Sequence, residues 1–237
     1  MKSLLVTRPK EDSLKIKEYL SKIGFNVYIE PMFSIKHLRA KIDVEDFDFI
    51  ISTSQHSIIA LSKITKNRNK LIITAGHNTM QIGEKLGFTS IKSFNNNVNG
   101  IISYLKHYNG NNVLYIRGKE ITCNLKNMFI NRIKNFQEVI VYNTIDRKYF
   151  SKNCYNLLLQ DKISAILFYS SRTADIFIEL IKKHNMEHKA ASIIIYVISN
   201  KVAETAKKIC WKNIKISDNP TNQSLLSLIA SSTLVKE

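Results

Sequence analysis

The run Ser192-Ile193-Ile194-Ile195-Tyr196-Val197-Ile198 is apolar at successive positions, so a strand made from it needs cover on both faces. Shorter runs of strand length recur at residues 4–6, 27–29, 47–52, 71–74, 113–116, 139–142, 165–169 and 214–216. Amphipathic stretches separate them. Residues 13–23 set Leu14, Ile16, Tyr19, Leu20 and Ile23 on one helical face, and residues 174–181 do the same with Ile176, Phe177, Leu180 and Ile181. Buried strands alternating with helices predict an α/β fold of doubly wound parallel sheets.

The pattern also repeats itself. Leu5-Val6-Thr7-Arg8-Pro9-Lys10-Glu11 returns as Tyr115-Ile116-Arg117-Gly118-Lys119-Glu120, with Arg8 and Arg117 in register. Ile50-Ile51-Ser52-Thr53-Ser54 returns as Ile166-Leu167-Phe168-Tyr169-Ser170, and the turn from Thr74 to Thr79 returns as Ile198-Ser199-Asn200-Lys201-Val202. Segments 32–44 and 143–162 are strand-poor and charged, and both follow a unit of the Arg8 or Arg117 kind. Linkers belong in such places. The expected architecture is therefore two domains related by circular permutation and joined by two crossing linker segments. A discontinuous terminal domain should comprise residues 1–33 plus 147–237, and a central domain residues 40–142. The hinges fall at about 33–40 and 142–148.

Length and charge narrow the function. The 237 residues, 44% of them hydrophobic, suffice for two cores. The first apolar run stops at Thr7-Arg8-Pro9, too soon for a signal-peptide core, and no run approaches the roughly 20 residues of a membrane helix. Cys123, Cys154 and Cys210 are odd in number and widely spaced, which argues against a disulfide framework or a structural zinc site. A soluble, cytoplasmic protein is expected, with no membrane partner. The net charge of +16 invites a nucleic-acid reading, but Lys outnumbers Arg by 28 to 7, and base recognition leans on the Arg fork. Tracts such as Asn95-Asn96-Asn97 point instead to A/T-rich codons as a source of Lys, Asn and Ile. A small polyanion would use the same positive field.

Four strands end in small polar residues that open a helix: Ser52-Thr53-Ser54-Gln55, the turn from Thr74 to Thr79, Ser170-Ser171-Arg172-Thr173 and Ser199-Asn200-Lys201. Any one of these hydroxyls reads most simply as a helix N-cap. Four at equivalent places, where doubly wound sheets bind ligands, also read as an anion site. No G-x-G-x-x-G follows the first strand and no phosphate-loop motif is present, so no nucleotide cofactor is expected. His184 and His188 are the one helical pair of histidines and lie in a polar stretch, so no metal site is expected either. An enzyme without nucleophile, metal or redox centre works by positioning a reactive substrate. Tyr142 ends a strand just before a linker, where its hydroxyl could act; the alternative is an aromatic packing across the sheet.

Together these motifs resemble the uroporphyrinogen-III synthase family. The resemblance rests on Thr7-Arg8-Pro9, Pro31, Ile51-Ser52-Thr53-Ser54, Gly76 with Thr79, and Arg117-Gly118. It continues through Val141-Tyr142 with Thr144, Phe168-Tyr169-Ser170 and Asn219-Pro220-Thr221 with Ser224-Leu225. It implies two α/β domains with the substrate between them, and a cofactor-independent lyase reaction. The substrate would be hydroxymethylbilane, a linear tetrapyrrole with many carboxylates, closed to uroporphyrinogen III with inversion of ring D and loss of water. It further implies Tyr142 as the residue assisting loss of the terminal hydroxyl. Arg8, Ser54, Gln55, Thr79, Arg117, Gly118, Ser170, Ser171 and Ser199 are then the substrate-binding positions. A monomer that receives its substrate from the preceding pathway enzyme is expected. Thr122 stands where the family often has Arg, and Ser199 and Val202 stand where it commonly has Gly and Thr, which weakens the expectation of anion binding in the terminal domain. Two rivals make different demands. A two-lobed sensor of an anionic metabolite needs the same turns without chemistry. A nucleic-acid binder needs exposed stacking aromatics.

Overall fold

The continuous apolar runs become strands in the computed structural model, which describes residues 2–94, 98–121 and 123–234. The chain opens with β1 (Ser3–Val6), α1 (Lys10–Lys22), β2 (Asn26–Ile29) and β3 (Phe33–His37). Then follow β4 (Phe49–Ser52), α2 (Gln55–Ile64), β5 (Ile72–Thr74), α3 (His77–Lys85), β6 (Ile91–Ser93) and α4 (Val98–His107). Next come β7 (Asn112–Gly118), α5 (Leu125–Phe129), β8 (Asn135–Asp146), α6 (Lys152–Leu159) and β9 (Ala165–Phe168). The last elements are α7 (Ser171–Lys183), α8 (Glu187–Ala190), β10 (Ile194–Val197), α9 (Asn200–Ala206), β11 (Asn213–Ile216) and α10 (Asn222–Leu234). The chain divides into two units, Met1–Ser34 with Ile145–Glu237, and Ile35–Thr144.

The terminal unit holds a sheet in the order β11-β10-β9-β1-β2, parallel at every pairing. Alternation sorts its side chains into two cores. Leu5, Ile166, Ile195 and Val197 pack with Leu157 and Leu158 of α6, Phe177 and Ile181 of α7, and Val202 of α9. Leu4, Val6, Ala165, Leu167 and Tyr196 face the other way, toward Ile16 and Leu20 of α1 and Leu225 and Ile229 of α10. Each fully buried Leu or Ile contributes about 1.5–3 kcal/mol, so the doubly covered strands carry much of the stability. Thr7 Oγ1 donates to the Leu167 carbonyl at 2.7 Å, fastening β1 to a strand 160 residues away.

The central unit holds a sheet in the order β3-β8-β7-β4-β5-β6. Phe49, Ile51, Val113 and Tyr115 meet Ile101 and Leu105 of α4 on one face, and Ile50, Ile72, Leu114 and Ile116 meet Ile58 and Leu61 of α2 on the other. Both sheets share one local succession. The strand leading to Arg8 lies between β2 and β9, and the strand leading to Arg117 lies between β8 and β4.

Two segments differ from expectation. Residues 33–37 form β3, and β8 runs on to Asp146, where strand-poor hinges were expected. Phe33 and Ile35 alternate with Ser34 and Lys36, the pattern of a strand at a sheet edge rather than a continuous apolar run. Segment 143–162 also contains α6, whose buried stripe is only Cys154, Leu157 and Leu158. Its start is anchored by Glu30, which is 3% exposed. That carboxylate accepts from the Ser151 N–H and hydroxyl, both at 2.7 Å, and pairs with Arg147 at 2.9 Å. Burial, with the Glu30 charge adding to it, pushes the neighbouring Cys154 thiol far up and leaves it unreactive.

Candidate active site

The carboxyl end of β4 turns into α2 through Ser54, whose Oγ accepts from the Ser57 N–H at 3.2 Å. Ser57 Oγ accepts in return from the Ser54 N–H at 3.3 Å. The turn from β9 into α7 uses a related device. Ser170 Oγ accepts from the Thr173 N–H at 3.2 Å, and Thr173 Oγ1 donates to the Ser170 carbonyl at 2.8 Å. These hydroxyls are therefore N-caps; the helix N–H groups they leave unused, with the helix dipole, favour an anion.

In the central unit, Ser54, Arg117, Gly118 and Tyr142 line one pocket of about 220 Å³. Thr53, Tyr115 and Glu120 complete its polar wall. Thr53 Oγ1 and Tyr115 Oη are 3.1 Å apart, and burial raises the Tyr115 phenol above its ordinary range, so it stays protonated. Tyr142 is half-buried and lies directly on Gly118. A methyl at that glycine would stand 2.5 Å from Tyr142 Cζ and 2.8 Å from its Oη. Only a residue without a side chain lets the phenol settle there. The His56 ring meets Tyr142 edge-on at 5.5 Å between centroids.

Arg117 is held rather than free. Its Nη1 donates to the Gly118 and Lys119 carbonyls at 2.9 and 3.2 Å, and its Nη2 pairs with Glu138 at 3.1 Å. Its Nε and the second oxygen of Glu138 are buried without a hydrogen bond among the described residues. The guanidinium thus shapes the turn beneath Tyr142 while the nearby carboxylate offsets its charge. Gln55 begins α2, and Thr79 is buried in the first turn of α3 behind the N-cap Gly76; neither lines this pocket.

In the terminal unit, Arg8, Ser170, Ser171 and Ser199 stand just beyond the carboxyl ends of the neighbouring strands β1, β9 and β10. Arg8 pairs with Asp12 at 2.8 Å and lies 4.6 Å over the Tyr169 ring. Tyr169 in turn donates to Asn222 at 2.8 Å, and burial pushes its phenol far up. Ser171 donates weakly to the Lys201 carbonyl at 3.4 Å, and Ser199 caps α9 without a side-chain bond, leaving its hydroxyl available. Thr122 lies outside the described residues, as do Asn95, Asn96 and Asn97.

Sequence reasoning gave no site role to Tyr115, His56, Glu120 or Glu138, and read Thr53 only within the turn that opens α2. Tyr115 and Glu138 sit opposite each other in the β7–β8 register, and a carboxylate next to a strand that ends in Arg was the available signal for the pair. His56 carried no signal, since its value comes from the ring it meets. Among the described residues, no group of three or more His, Cys, Asp or Glu side chains could hold a metal, and no helix is long and apolar enough to cross a membrane.

A family profile described as uroporphyrinogen-III synthase HemD matches residues 15–227. No curated protein matches the chain. Among solved structures, the uroporphyrinogen-III synthetase of Helicobacter pylori superimposes with a TM-score of 0.67 at 17% identity, covering 98% of this chain and 100% of that one. A mutant uroporphyrinogen III synthase from Thermus thermophilus gives 0.55 at 11% identity, covering 99% and 98%. At these identities the structural likeness speaks for the fold.

Proposed function

The chain belongs to the uroporphyrinogen-III synthase family, and on that premise we propose how its residues close a linear tetrapyrrole. Its reaction is the cyclisation of hydroxymethylbilane in tetrapyrrole biosynthesis. The observation that carries the residue assignment is Tyr142, seated on Gly118 in a pocket that also presents Ser54, Thr53 and the Arg117 turn.

In this reading the Tyr142 hydroxyl gives its proton to the departing terminal hydroxyl of the bilane, which leaves as water, and the proton is made good by the pyrrole N–H lost as the azafulvene forms. The substituted α-carbon of the far ring then attacks the electrophilic methylene carbon of the resulting azafulvene. The spiro intermediate then fragments and recloses with that ring inverted. The N-terminal N–H groups of α2 and α7, and the hydroxyls of Ser54, Ser170, Ser171 and Ser199, hold acetate and propionate side chains. Such positioning raises the effective concentration of the correct reacting carbon over its competitor. Arg8 and Arg117, each paired with a carboxylate, shape the turns rather than offer a free guanidinium. Gln55 acts at the start of α2, and Thr79, buried with its N–H donating to the Gly76 carbonyl at 3.1 Å, shapes the turn that opens α3. The two units are best read as permuted copies of one design, since each flanks its Arg-ended strand in the same way. A cytoplasmic monomer fed by the preceding enzyme completes the proposal.

The test is product analysis with freshly generated hydroxymethylbilane. Spontaneous closure leaves the ring uninverted, so the protein should convert the product from the type I to the type III isomer. A product that stays type I at every protein concentration would remove the catalytic reading.

A further inference from the structure

The face of the terminal sheet that carries Leu4, Ala165, Ile194 and Tyr196 opens at the amino ends of its strands into a pocket of about 1070 Å³. This is the opposite end of those strands from the Ser170 and Ser199 turns. Its floor is apolar, but three of its lining residues are Lys2, Lys212 and Lys215. Lys215 is the telling one. Its neighbour Ile214 packs into the other core, so alternation turns Lys215 onto the face of Tyr196, its partner in the β10–β11 register. Its ammonium donates to Ser232 Oγ at 3.2 Å and stands 5.8 Å from the Tyr196 ring.

Among the described residues no carboxylate pairs with these three lysines. Asp161, the acidic lining residue, is taken by Lys189 at 2.7 Å. The Tyr196 ring is buried, the residue being only 6% exposed, while its hydroxyl is not among the buried polar atoms and has no hydrogen bond within the described residues. A hydroxyl at the tip of a buried ring, opening into an apolar-floored pocket, is the kind of placed polar group that orients a ligand. An inward lysine on an edge strand can also serve to prevent strand pairing. That use explains Lys215 alone; it explains neither Tyr196 nor the two further lysines around the same apolar floor.

We propose that this pocket is a second ligand site, separate from the candidate active site, for a small anionic amphiphile. The apolar body would lie on Leu4, Ala165, Ile194 and the Tyr196 ring. A carboxylate or sulfonate would face Lys215 and Lys212 and accept from the Tyr196 hydroxyl.

Anilinonaphthalene sulfonate, titrated into the full chain and followed by its fluorescence, is the probe. Saturable one-site binding is expected, weakened by added salt and displaced by dodecanoate. Charge reversal close to a partly buried anion should be worth about tenfold or more, so Lys215→Glu should weaken binding by about that factor. Lys212→Glu should cost about threefold by the same reasoning at greater exposure, and Tyr142→Phe should change nothing. Because Lys212 is exposed, its variant keeps the test decisive even if Lys215→Glu fails to fold. Unsaturable binding, or an affinity indifferent to both reversals, overturns the proposal.

Discussion

Gly118→Ala isolates the placement of the Tyr142 hydroxyl from the stability of the fold. The added methyl would lie 2.5 Å from Tyr142 Cζ, 2.7 Å from Cε2 and 2.8 Å from Oη. Carbon atoms pack at about 3.5–4.0 Å, so the tip of the ring must retreat by about 1 Å. The obstacle is the far end of a side chain, and a rotamer displaced by some 30° costs only about 0.5–1.5 kcal/mol. Gly118 has no positive φ, so alanine meets no backbone strain and recovers about 0.4–1 kcal/mol by restricting the unfolded chain. The two terms nearly cancel, and the thermal midpoint should hardly move. Activity should move far more, because a 1 Å misplacement can cost about 100-fold. The loss is bounded by that of removing the hydroxyl altogether, so kcat should fall roughly 10- to 100-fold with KM little changed. Turnover of freshly generated hydroxymethylbilane, with the isomers of the product resolved, is the assay. The decisive variant is the double substitution with Tyr142→Phe, which should be no slower than Tyr142→Phe alone. A further tenfold loss in the double variant would show that Gly118 acts by some route other than the hydroxyl.

Tyr142→Phe itself keeps the packing ring and should lower kcat by about 10- to 100-fold, the low end for a positioned proton donor; full activity would make the residue structural. Glu30→Ala leaves the Ser151 N–H without its acceptor and Arg147 with only backbone carbonyls, and urea titration should show a loss of about 3 kcal/mol, since Arg147 is partly exposed. Ser54→Ala and Ser170→Ala each remove an N-cap and should cost about 1 kcal/mol in the same measurement. The Asp48 carboxyl is held below its usual range by hydrogen bonds from the Tyr108 hydroxyl and then the Asn112 N–H. Its contribution is therefore present above the ordinary carboxylate range and lost as pH falls through the depressed folded-state value. Asp48→Asn should destabilise the protein at neutral pH by more than it does in strong acid, and an equal effect at both would refute the pairing.

Local pattern was legible in the chain because it depends only on neighbours. Doubly apolar runs specify covered parallel strands, and a Ser followed three residues later by a second hydroxyl specifies the caps at Ser54 and Ser170. The alternation of those runs with amphipathic stretches led to the α/β class, and the position of Tyr142 at a strand end already marked it as a candidate. What the sequence could not show were pairings made across space. β3 reads as a linker until β8 lies beside it, because its ladder, not its hydrophobicity, makes it a strand. Arg117 reads as a free donor to an anion until Glu138, twenty-one positions on, accepts from it and offsets its charge. Gly118 reads as a turn glycine until the Tyr142 ring comes to rest on it. Lys215 reads as an ordinary surface lysine until β10 brings Tyr196 into register beside it. Each depends on contact between segments whose separation along the chain carries no local signal, so only the tertiary structure decided them.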